Sequence, residues 1–187
     1  MRIAKKIQLY IYRLFFKPKV KDEDEAILID VIPDGLSREY SYDEINPNDP
    51  SWLKLAFGEL GQVETKGKGN NPRIIEYHQM TTLKATQDSV PWCASFVCWV
   101  LEMSGIRSTR SAAAKSYLNW GYKSGMRTRG DIVIFNRPPN PASGHVGFYL
   151  GETDSFIYVL GGNQSNSVSI ARYSKRNFIE ARTWIDG

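Results

Sequence analysis

The chain has 187 residues, 42% of them hydrophobic and 24% charged, which are ordinary globular values and allow one domain with a real core plus an appendage. Two cysteines cannot make a disulfide framework, and with only two histidines beside them they argue against a catalytic zinc, which needs three protein ligands. The net charge is +4, but residues 1–21 hold seven basic side chains and no acidic one, leaving the rest at −3, so the basic balance does not indicate nucleic-acid binding.

In that tail Ile3, Ile7, Tyr10, Ile11, Leu14 and Phe15 fall on one helical face, with Lys6, Arg13 and Lys17 mostly off it. Arg13 interrupts the apolar run and no small-residue cleavage site follows, so it does not read as a secretory signal. It is also too short to span a bilayer. Two readings remain for residues 1–21. One is a basic amphipathic helix for a membrane surface or a delivery or loading partner; the other is a helix packed on its own domain. Residues 22–25 are an acidic run and 26–32 an apolar run suited to an edge strand. Pro33-Asp34-Gly35 is turn chemistry, and 37–48 are polar and aperiodic. The boundary falls there, with an N-terminal segment and linker over 1–48 and a domain over 49–187.

The domain opens with Asp49-Pro50 as cap and first helical residue, then Trp52, Leu53, Ala56 and Leu60, with Gly61 as stop. Asn71-Pro72 starts a second short helix carrying Ile74, Ile75, Tyr77 and His78; beside a polar loop, His78 reads as a surface residue. Before it, residues 67–71 with Lys66 and Lys68 read as a flexible basic loop near where substrate would lie. The next helix follows Pro91, with Asp88 or Ser89 as cap: Cys93, Phe96, Val97, Val100 and Leu101 recur at helical spacing and Gly105 offers a stop. Residues 112–120 read as another helix, with Tyr117 and Trp120 in the core. Arg129-Gly130-Asp131 is a turn into a strand over 132–135. Pro138-Pro139-Asn140-Pro141 reads as a rigid loop without regular structure. Strands follow over 145–150, 156–160, 167–173 and 181–184. Helices first and an antiparallel sheet after is α+β order.

Cys93 leads its helix, where the macrodipole and free N–H groups favour a thiolate, the nucleophilic form. Cys98, five residues on, points elsewhere and reads as core. His145 leads the strand signal Gly144-His145-Val146-Gly147-Phe148-Tyr149, so the two supply the halves of a thiol–imidazole pair. The pair needs a polar group to hold the ring. Asn163, in the Gly161-Gly162-Asn163-Gln164 turn, is the first candidate and Gln164 the reserve, while the simpler account of Asn163 is a left-handed turn residue. Gln87, six residues before Cys93, is the candidate oxyanion donor beside the Cys93 N–H.

Four stretches in order, Trp92-Cys93-Ala94-Ser95-Phe96-Val97, Gly130-Asp131-Ile132-Val133-Ile134-Phe135, Gly144-His145-Val146-Gly147 and Leu160-Gly161-Gly162-Asn163-Gln164, resemble the papain-like CHAP and NlpC-type cell-wall hydrolases over roughly residues 49–184. The resemblance implies a papain-like fold and cleavage of amide bonds in peptidoglycan peptides, by an amidase or an endopeptidase, with no cofactor or metal. The CHAP pattern often has a glutamate followed closely by an asparagine where this chain has Gly161 onward. Competing readings are a non-catalytic wall-binding module on the same fold, or a cysteine protease or acyltransferase with a non-wall substrate. Two delivery routes fit, a phage lysin or a toxin injected into another bacterium's periplasm. The basic tail favours injection, and an inhibitor (immunity) protein is then an expected partner.

Overall fold

A computed structural model describes residues 44–184. The expected helix of residues 1–21, the acidic run, the expected edge strand and turn, and most of the linker lie outside them. Within them the order is α1 (Ser51–Phe57), α2 (Pro72–Gln79), α3 (Cys93–Met103), a 3-10 turn (Ala114–Asn119) and then six strands. These are β1 (Tyr122–Lys123), β2 (Ile132–Arg137), β3 (Asn140–Glu152), β4 (Phe156–Gln164), β5 (Ser167–Ser174) and β6 (Phe178–Thr183). They form one antiparallel sheet in the order β1-β6-β2-β3-β4-β5. The α+β order read from the sequence is the architecture of the domain.

α3 is buried along nine consecutive residues, from Cys93 to Leu101. Its apolar side chains pack with Ile132, Ile134, Val146, Phe148 and Leu160 from the sheet. Each fully buried aliphatic or aromatic side chain there contributes roughly 1.5–3 kcal/mol, so α3 is held by the sheet rather than by helix propensity. The other sheet face buries Val133, Phe135, Tyr149, Ile157, Val159 and Ala181, with Tyr173 and Phe178 against them. That is why residues 132–135 read as an unbroken apolar run: both faces of β2 are covered.

Several local expectations change. Asp49 does not cap α1, whose N-cap Pro50 makes no side-chain bond. It pairs with Arg129 (Nε–Oδ1 2.7 Å) and accepts from the Asn46 N–H. Asn71 does cap α2, accepting from the Arg73 N–H with Pro72 following. Neither Asp88 nor Ser89 caps α3; its N-cap is Trp92. Asp88 is buried and accepts from the Thr65 and Asn71 N–H groups, both at 2.8 Å, clasping the basic loop to the approach of α3. The expected helix over 112–120 is a single 3-10 stretch, with Tyr117 and Trp120 in the core as read. The proline-rich segment is not an extended loop. It is the hairpin between β2 and β3, and Asn140 and Pro141 already belong to β3. His145 therefore lies inside its strand rather than at the start.

Candidate active site

Cys93 is the first residue of α3 and only 7% exposed. Backbone N–H groups of Val146, Ala94 and Cys93 itself face its sulfur. Burial nevertheless dominates and pushes the thiol up, against those N–H groups and the Arg137 guanidinium. The expected effect of the helix terminus is present but is outweighed, so the resting thiol is protonated at neutral pH. Cys98 is fully buried in the core and accepts from the Tyr117 hydroxyl (3.2 Å).

Val146, whose N–H meets the Cys93 sulfur, is the residue after His145, so β3 carries the imidazole to the head of α3. His145 is buried, and its Nε2 lies 3.0 Å from Gln164 Oε1. The Gln164 amide nitrogen donates to the Val159 and Ser169 carbonyls, which fixes which way the amide points. Its oxygen then has to face the ring, so Nε2 carries the proton and Nδ1 keeps a free lone pair. Nδ1 is buried and has no hydrogen-bond partner among the described residues. Burial first, with a smaller push from Arg137, brings the imidazole down to about 4 against the Gln164 bond that raises it. At neutral pH the ring is therefore an uncharged base held by one nitrogen and open at the other.

The polar group on the ring is thus Gln164, the reserve, and not Asn163. The reason is a backbone irregularity. β4 does not end in a turn at Gly161 but runs on to Gln164, with a register shift between Gly161 and Gln164. Asn163 sits in that shift at φ 56, the left-handed conformation, and Gln164 is the residue turned into the protein at 3% exposure. The tight turn follows, with Ser165 and Asn166 both at positive φ. Gly161 is where the strand passes the pair: a Cβ there would lie 2.9 Å from Gln164 Oε1 and 3.3 Å from His145 Nε2. A Cβ at Gly162 would lie 2.6 Å from both Trp92 and Phe96, so this strand end presses directly on the N-terminus of α3.

Two further residues complete the site, and sequence reading passed over both. The Tyr173 ring stacks on His145 at 4.6 Å with 15° between the planes, closing one face of the imidazole. Phe135, the register partner of His145, also packs on the Tyr173 ring at 4.9 Å. Arg137 ends β2, exposed, and its charge acts on Cys93, His145 and Tyr173 alike. Strand alternation in 167–173 was the available signal for Tyr173; nothing local marked Arg137. The candidate oxyanion donor Gln87 has an exposed side chain with no hydrogen bond among the described residues. Its carbonyl accepts from Val90 N–H in the turn before α3. His78 is not on the surface: it is fully buried, with Nδ1 3.0 Å from the Ser95 hydroxyl of α3. Among the described residues no cluster of three or more His, Cys, Asp or Glu side chains could hold a metal ion.

Part of this site, including Cys93 and His145, falls within a family match. Residues 85–163 match the CHAP domain. The match begins just before the turn that precedes Cys93 and takes in His145, Gly161 and Gly162; Gln164 lies one residue past its end. A CHAP domain supports a peptidoglycan hydrolase of the amidase or peptidase type. A search of curated proteins finds no match to the chain.

Proposed function

We propose that this CHAP domain is a cysteine hydrolase that cleaves an amide bond in the stem or bridge peptides of bacterial peptidoglycan. The observation that carries the reading is the half-satisfied His145. Gln164 holds its Nε2–H, and its buried Nδ1 is unpaired on the strand whose next N–H meets the Cys93 sulfur. The Cys93 thiol gives its proton to Nδ1 as the sulfur attacks the substrate carbonyl carbon. The Cys93 N–H at the head of α3 is the first candidate donor to the oxygen that becomes negative, and Gln87 is the candidate second donor. The imidazolium then protonates the leaving amine as the C–N bond breaks, leaving a thioester. Water, deprotonated by the same nitrogen, cleaves the thioester and restores the thiol. Because thiol and imidazole are both neutral at rest, proton transfer belongs to the attack step rather than preceding it.

The reading extends to delivery. The basic residues of the tail favour a toxin injected into a target bacterium's periplasm, with a loading partner on residues 1–21 and an inhibitor protein in the producing cell, over a phage lysin. The direct test is digestion of purified sacculi by wild type and Cys93→Ala, with mass spectrometry of the fragments. A new terminus produced only by the wild type supports a cysteine hydrolase and names the bond. Identical digests overturn it in favour of a wall-binding module.

A further inference from the structure

The corner of the β2–β3 hairpin carries two cations beside the reacting groups. Arg137 lies two residues beyond Phe135, the partner of His145 across the strands, and is exposed. Lys115 comes from the 3-10 stretch, with its stem against the residue before His145: a Cβ at Gly144 would lie 3.1 Å from Lys115 Cγ. Its ammonium donates to Asn136 Oδ1 (2.8 Å) and the Pro141 carbonyl, which places it on the same hairpin corner. Neither cation has a carboxylate partner among the described residues, whereas Arg182 on β6 is neutralised by Glu180 and Arg129 by Asp49. Lys115 is occupied by neutral oxygens, so its charge is fixed in place and uncancelled. Arg137 has its fork free, the geometry that takes a carboxylate through two parallel hydrogen bonds.

We infer that Arg137, backed by the charge of Lys115, is a specificity residue that binds a free carboxylate of the substrate next to the scissile amide. The inference rests on the hydrolase reading of this site and names its substrate class: peptides with an unmodified carboxylate beside the bond cut, in preference to the same peptides with that group as a carboxamide. The register puts Arg137 two residues from the partner of His145, and its charge acts on Cys93, His145 and Tyr173.

Two measurements separate this inference from the reading beneath it. The first needs no substrate. Cys93 is alkylated with iodoacetate or iodoacetamide, with peptide mapping to keep Cys98 apart, in wild type and Arg137→Gln. Any general change in thiol reactivity moves both rates together, so their ratio reports carboxylate attraction alone. The expected result is a fall of roughly three- to tenfold in the iodoacetate-to-iodoacetamide ratio in the variant, and a smaller difference in high salt. An unchanged ratio overturns the inference. The second measures kcat/KM on paired synthetic stem peptides, carboxylate against carboxamide. Wild type should favour the carboxylate, mainly through KM, and Arg137→Gln should lose that preference. Equal cleavage of both peptides by wild type overturns the substrate class. If the ratio falls but wild type cleaves no peptidoglycan peptide, the hydrolase reading fails and the carboxylate site stands.

Discussion

The two histidines, one on α2 and one on β3, are nearly the same object in different surroundings. Both are buried, burial holds both below the ordinary imidazole range, and each has one nitrogen bonded to a neutral side chain and the other without a hydrogen-bond partner. The difference is what the second nitrogen meets. Around His78 the Gln87 and Val90 carbonyls oppose the downward shift, so its ring braces the turn before α3. Around His145 the free nitrogen belongs to the strand that borders the Cys93 sulfur. Burial and a lowered pKa do not mark a catalytic base. What sets His145 apart is its place on the strand whose next N–H meets the Cys93 sulfur.

The largest expected effect tests that contrast directly. Cys93→Ala and His145→Ala should each lose roughly 10³-fold or more in turnover on sacculi, with melting temperatures showing a folded domain. His78→Ala should leave most turnover per folded molecule but cost about 2–4 kcal/mol of stability, read by denaturant unfolding, because it empties a buried site and strands the Ser95 hydroxyl. If the His78 variant is folded and inactive, the contrast collapses.

Gln164 comes next. Gln164→Ala leaves His145 Nε2–H and two carbonyls unpaired, so turnover should fall about tenfold or more, whereas Asn163→Ala should change it by no more than about threefold. Asn163→Ala should instead cost about 1 kcal/mol by unfolding, and Asn163→Gly almost nothing, because the position holds φ 56.

The pH profile sharpens the His145 side. Its neutral form is the active one, so the acid limb of kcat/KM should lie well below 6.5, towards 4. Stability follows the same group. Between pH 6.5 and about 4 the unfolded chain takes up a proton that buried His145 does not, so stability falls as pH falls through that window. The full loss is about 3 kcal/mol, and it levels off below it. His145→Gln should flatten that part of the curve. The smallest effect is in labelling: at neutral pH iodoacetamide should modify Cys93 before Cys98, because Cys98 is fully enclosed, though slowly in absolute rate since burial keeps the Cys93 thiol protonated.

The helix of Cys93 and the strand of His145 were legible because each is written locally. Pro91 and the apolar run announce the first, and the β-branched and aromatic residues between glycines after Gly144 announce the second. Gln164 and Asn163 were not separable, because a backbone shift decides which of two adjacent side chains turns inward, and that shift arises from the pairing of β4 with β5. His78 was misread for a related reason. Its partner Ser95 lies on another helix, and nothing near residue 78 in sequence shows that it will be covered. Asp88 looked like a cap by position and proved to be a clasp across 17 and 23 residues of chain.

Gly161 has a consequence for descent. The family pattern often places a glutamate where this chain has glycine, and the space a side chain would need there is filled by the Gln164 amide and the edge of His145. The two ways of steadying the imidazole compete for the same space, since a side chain at position 161 would push against the Gln164 amide. Glycine at the first position and glutamine at the fourth should therefore be inherited together, and Gly161→Glu on its own should damage the site rather than restore an older one.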